Sequence, residues 1–118
     1  MTRRSLTRFL PLSLVLALCL PGLALATDSK AHEQYLQAAK LFEQDRYDEA
    51  ITAAQKSIQL QPNFADAHLL LGKIYFEGKR RAMDAISAMK QAIHIKPDYA
   101  EAYYHLGLVY QTQGKFRD

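Results

Sequence analysis

Between residues 31 and 113 the apolar side chains recur at helical intervals and not at the every-other-residue spacing of strands. Leu69, Gly72, Tyr75 and Phe76 are separated by three, four or seven positions, and so are Ile51, Ala54 and Ile58, then Ile86, Met89 and Ile93. The pattern predicts helices over 31–44, 47–60, 65–77, 82–95 and 100–113. Pro62 and Pro97 close the second and fourth of these, because proline cannot extend the hydrogen-bond ladder. Asp98-x-x-Glu101 has the spacing of a capping box ahead of the last helix.

The helices come in pairs, and the pairs repeat. Ala38, Gly72 and Gly107 share one position; Leu41, Tyr75 and Tyr110 share another, three residues on. Tyr47 matches Phe116, Ala50 matches Ala85, Ser57 matches Ala92, and Pro62-Asn63 matches Pro97-Asp98. The offset is 34 residues from Ala38 to Gly72 and 35 from Gly72 to Gly107. One additional residue therefore lies between Phe76 and Ala85, where Gly78-Lys79-Arg80-Arg81 sits. Small residues at Ala38, Gly72, Ala50 and Ala85 allow paired helices to approach closely. A hairpin that is apolar on two faces has to stack on neighbours.

Leu71-Gly72-Lys73-Ile74-Tyr75 and Leu106-Gly107-Leu108-Val109-Tyr110, with Tyr47-Asp48-Glu49-Ala50 and Ala92-Ile93-His94-Ile95-Lys96-Pro97, resemble the tetratricopeptide repeat family over nearly all of residues 31–118. His68 stands where that family prefers Trp, Asp45 where Gly often ends the first helix, and Gln37 where Leu is usual. The resemblance implies an all-α fold of antiparallel helical hairpins stacked as a right-handed solenoid. Its units would be 31–64, 65–99 and a partial third at 100–118, two full repeats plus the first helix of another. The second helix of that third unit would begin as the sequence reaches Asp118. Without it Ala102, Tyr103, Leu106, Val109 and Tyr110 would be left uncovered, unless the chain is a fragment of a longer one or another chain packs there.

The resemblance also implies a protein or peptide partner held in a concave groove lined by the first helices. The residues of this sequence that match groove positions are His32, Tyr35, Ala39, Phe42 and Glu43; Asp66, Leu69, Lys73, Phe76 and Glu77; and Glu101, Tyr104, Leu108, Gln111 and Thr112. Tyr35, Phe42, Leu69, Phe76, Tyr104 and Leu108 would form an aromatic and aliphatic strip, with Lys73 and Gln111 as polar contacts. Packing between hairpins is the competing role for each of them. Tyr35 and Ala39 replace the Lys and Asn with which some members of the family clamp a C-terminal carboxylate, so that ligand is not supported.

The first residues change the picture of charge. The chain of 118 residues carries a formal net charge of +3. Arg3, Arg4 and Arg8 precede every acidic residue, and from Thr27 onward twelve basic residues balance twelve acidic ones. A basic start, an apolar run over residues 9–26 and the small-x-small ending Ala24-Leu25-Ala26 are the parts of a secretory signal peptide. Residues 1–26 are read as that signal, cleaved between Ala26 and Thr27, with 27–30 as a short linker. Pro21-Gly22 favours cleavage by breaking the helix; an uncleaved anchor is the alternative. Leu18 before Cys19 argues against a lipoprotein, and Leu6-Thr7 after Arg3-Arg4 against a twin-arginine signal. The exported chain would be periplasmic or secreted, contacting the membrane only if the segment is retained, and free of cysteine.

Catalytic chemistry does not assemble. There is no Gly-rich phosphate loop, no nucleophile elbow and no Glu-His zinc motif. His32, His68, His94 and His105 form no ligand pair at helical spacing, so neither metal nor cofactor is expected. Lys79-Arg80-Arg81 reads as a solvated turn, with a polyanion contact as the alternative, and the balanced charge argues against nucleic acid. The sequence thus points to a non-enzymatic exported adaptor, serving the assembly of envelope, pilus or secretion machinery. The alternative is the N-terminal scaffold of a larger exported enzyme. Self-association through the uncovered helix at 100–113 is a further expectation.

Overall fold

The computed structural model describes residues 21–115 and builds them as helices in antiparallel succession: α1 (Pro21–Glu43), α2 (Tyr47–Leu60), α3 (Ala65–Lys73), α4 (Ala82–Ile95) and α5 (Ala100–Lys115). The α3 helix widens at its end into a π turn over Ile74–Gly78. Each helix packs most heavily on its neighbours in sequence, and α1 also touches α3. Two apolar clusters hold the stack. Ala38, Leu41, Ala50, Ala54, Leu70 and Ile74 join α1 and α2 to α3. Leu69, Ala85, Met89, Ala92, Ala102 and Val109 join α3 and α4 to α5.

The small residues set these contacts. Ala38, Ala50 and Ala85 are fully buried. A methyl added at Gly72 would lie 2.8 Å from Met89 Cγ and 3.2 Å from the Ala85 carbonyl oxygen, so α4 rests on bare backbone there. Ser57, at the position filled by Ala92 in the next unit, is fully buried and donates to the Ala31 carbonyl at 2.7 Å. That bond satisfies a hydroxyl which would otherwise be costly to bury.

The additional residue of the second unit is absorbed as helix, not as loop. In the first hairpin the Arg46 amide closes on the Leu41 carbonyl at 2.9 Å. In the second, the matching bond runs from Arg81 to Tyr75 at 2.8 Å and spans one residue more, while the Lys79 amide reaches back five positions to Ile74 at 3.3 Å. A π turn adds one residue without ending the helix. Both hairpins turn through a left-handed residue, Asp45 (φ 60°) and Arg80 (φ 56°). Gly78 abuts the Tyr47 ring, which a Cβ would overlap.

Three expectations need correction. Residues 27–30 are not a linker: α1 runs through them, since Thr-Asp-Ser-Lys contains no helix breaker. Pro21 and Gly22 begin the described helix, and the apolar run ahead of them that they are expected to break lies outside the described residues. Residues 1–20 of the expected signal peptide lie outside the described residues. The capping box is out of register, because α5 starts at Ala100 and the Tyr99 carbonyl accepts from the Ala102 and Tyr103 amides. Finally, Ala102 and Val109 are fully buried against the second cluster and belong to the covered side of α5.

Candidate partner-binding groove

The first helices α1, α3 and α5 carry the expected groove residues, and the loops entering α3 and α5 tie them together. Phe64 stacks on His32 at 6.2 Å between ring centroids and meets Tyr35 at 5.2 Å, joining α1 to the start of α3. One unit later Tyr99 occupies the same place and donates its hydroxyl to Asp66 Oδ1 at 2.5 Å. Lys73 Nζ lies 3.7 Å from Glu101 Oε1, a second link from α3 to α5. These groups enclose a notch of about 50 Å³ between Tyr35, Asp66, Lys73, Tyr99 and Glu101, floored by Leu69.

The electrostatics of the notch follow from its aromatic walls. Burial raises the Tyr99 phenol well above its ordinary range, and the hydrogen bond to Asp66 and the charges of Asp66 and Glu101 push it further. Tyr35 is raised by burial and then by the same two carboxylates. Both shifts favour the protonated phenol, and the Tyr99 hydroxyl is the donor to Asp66. His105, on α5, lies 3.8 Å from Glu101. Burial and then the Lys73 charge hold its imidazole below the usual histidine value, with Glu101 and Glu77 opposing.

The expected strip divides in three. Leu69 is only 3% exposed and is a core residue whose edge floors the notch. Phe42 and Phe76 are half-buried: Phe42 leans on the first cluster and the Tyr47 ring, Phe76 on the second cluster. Tyr104, 64% exposed and set edge-on to His105, is open to solvent with Gln111, and Leu108 is half-exposed beside them. Lys73 is half-buried and paired. Tyr99 and Phe64 are the contributors that helix-by-helix reading overlooks. Their signal is an aromatic residue just before α3 and α5, at the repeat spacing.

Elsewhere the structure rearranges other expectations. Lys79-Arg80-Arg81 is not a fully solvated cluster: Lys79 bridges to Asp48 at 2.9 Å, while Arg81 pairs with Asp84 at 2.7 Å and covers the Tyr75 ring. A furrow of about 570 Å³ runs between α2 and α4, with Gln55, Gln59, Ser87 and Gln91 on its walls and Leu71 on its floor. Exposed Gln and Ser on second helices gave no sequence signal for it. Among the described residues, no three His, Cys, Asp or Glu side chains gather as a metal site, and no helix is long and apolar enough to cross a membrane.

The geometry just described, hairpins stacked through small residues at a 34- to 35-residue interval, is matched by the TPR repeat family model over residues 39–78 and 84–114. The chain belongs to the tetratricopeptide repeat family. Two crystal structures of the TPR protein MamA are similar to it, each at 33% identity and a TM-score of 0.69 over 74% of this chain. The match covers 50% of one MamA chain and 47% of the other, so this chain spans about half their length. No curated protein matches it significantly. TPR repeats generally bind protein partners, which supports a protein–protein interaction scaffold.

Proposed function

We propose that this TPR chain is an exported adaptor that holds a protein or peptide partner along the first-helix strip, in assembly of envelope, pilus or secretion machinery. The observation that carries the groove is the strip from half-buried Tyr35 through the notch to exposed Tyr104 and Gln111 and half-exposed Leu108, crossing three helices that belong to three repeat units. Binding of this kind needs an apolar strip with polar edges and no chemistry at the site. Residues 9–26 with Arg3, Arg4 and Arg8 support export, and Ala26-Thr27 is the cleavage site. The test is recovery of partners from an envelope extract by the full chain and by a Tyr104→Ala, Gln111→Ala variant of unchanged helicity. Equal recovery by both removes the groove from the proposal. N-terminal sequencing of the exported protein should begin at Thr27, and a chain still starting at Met1 would refute cleavage.

A second contact surface is favoured by Gly107. A methyl at Gly72 would strike Met89, whereas one at the matching Gly107 meets nothing within 4 Å. Tyr103 and Tyr110 on the same helix are 52% and 45% exposed. Among the described residues no helix covers this side of α5, and its exposure supports self-association of this chain. Sedimentation of the 118-residue chain should show a concentration-dependent mass. A monodisperse, cooperatively unfolding monomer would rule that out.

A further inference from the structure

Resting on the groove reading above, the chemistry of the strip also narrows its occupant. Asp66, Glu77 and Glu101 are all exposed around the notch; Lys73 is set among them and Lys96 lies over the Tyr99 ring at 4.8 Å. The Lys73 ammonium already faces Glu101 at 3.7 Å, so the groove keeps an excess of negative charge. The same carboxylates reach across helices: Asp66 and Glu101 both act on Tyr35 and Tyr99, and Glu77 and Glu101 both act on His105. The notch walls are phenol rings from two different repeat units, and its volume of about 50 Å³ suits a small polar head group better than a bulky apolar side chain.

We propose that the groove selects a basic segment of its partner, with a lysine or arginine head group seated in the notch between Asp66 and Glu101. Charge-assisted hydrogen bonds to the two carboxylates hold the head group. The Tyr35 ring contributes cation–π attraction, the Tyr99 ring already carrying the Lys96 ammonium at 4.8 Å from its centroid, and the aliphatic stem lies over the aromatic strip toward Tyr104. An acidic ligand would have to displace Glu101 from Lys73 and then face the remaining carboxylates. Because the groove is open, attraction and selectivity both weaken with salt, as the screening length contracts from about 30 Å at 0.01 M to about 3 Å at 1 M.

The experiment titrates the full chain, by fluorescence anisotropy, against three labelled peptides of equal length. They share their Leu and Tyr positions and carry Lys, Glu or Ser at all others. The Lys peptide should bind about tenfold or more tighter than the Ser peptide at low salt, and the advantage should vanish near 1 M salt. An Asp66→Asn, Glu101→Gln variant keeps a hydrogen-bond acceptor for Tyr99. It should lose the Lys-over-Ser advantage at unchanged helical content. Equal binding of Lys and Ser peptides, or preference for Glu, overturns the charge selection; the groove reading survives if Tyr104→Ala still weakens them. Lys-peptide binding indifferent to both variants puts the contact elsewhere and overturns both readings. Failure of all three peptides to bind overturns the basic-segment proposal.

Discussion

Two glycines at one repeat position have different roles, and substitution separates them. Gly72 is the point where α4 lies on α3, with Met89 and the Ala85 carbonyl both closer than a methyl tolerates. Gly72→Ala should therefore destabilise the fold by about 1–3 kcal/mol, read as a lowered urea midpoint. Gly107 occupies the same repeat position with open space around it, so Gly107→Ala should stabilise by up to about 1 kcal/mol through helix propensity alone. If Gly107→Ala proves as costly as Gly72→Ala, something covers that face of α5 in solution. Arg80 sits at φ 56°, a conformation that costs a side chain about 1–2 kcal/mol and glycine almost nothing. Arg80→Gly should raise the unfolding midpoint. Asp45 is held in the same conformation but accepts from the Tyr47 hydroxyl at 2.7 Å, so its replacement forfeits a bond as well.

At the scale of elements, the repeat period announced the π turn without saying what form it would take. A 35-residue offset requires one additional residue between Phe76 and Ala85, and either a longer turn or a wider helix satisfies it. Packing decided: Ile74 is fully buried and Gly78 abuts Tyr47, so the chain has to remain helical to deliver both contacts. The start of α1 is the opposite case. Ala31 is fully buried, yet Ala26, Asp28, Ser29 and Lys30 before it are exposed on helical backbone. A chain beginning at Thr27 should keep the melting temperature of the full chain. A large drop would mean that residues 1–26 pack on the repeats and would weigh against their being a removable signal.

Across the whole molecule, the notch couples neighbouring repeats through titratable groups, so stability should follow pH in a defined way. The folded His105 pKa lies below the ordinary value of about 6.5, because burial and Lys73 oppose its cation. Its contribution is therefore complete above that value and is lost as pH falls through the lowered folded one. His105→Gln should flatten this part of the stability profile, leaving the acid transitions of carboxylates in place. The raised phenols behave in the opposite sense. Tyr99 and Tyr35 stabilise the fold below pH of about 10, and that stability is lost as pH rises beyond it. Alkaline spectrophotometric titration should show a late-ionising phase that Tyr99→Phe removes.

Much of this architecture was legible from residue order. Helical spacing located the five helices to within a residue or two, α1's early start excepted, because that spacing is a local property of the chain. Gly72 and Ala85 marked the close contact of a hairpin, since only small side chains permit it. The division of the strip was not legible: Leu69, Phe76 and Tyr104 are alike as apolar groove positions, yet one is core, one half-buried and one open. Depth depends on how many neighbouring helices reach each side chain: among the described residues α3 packs on α2, α4 and α1, whereas α5 packs mainly on α4. The Tyr99–Asp66 and Lys73–Glu101 links belong to the same class of fact. They join residues 33 and 28 positions apart, whose distance in space is set only once the hairpins stack.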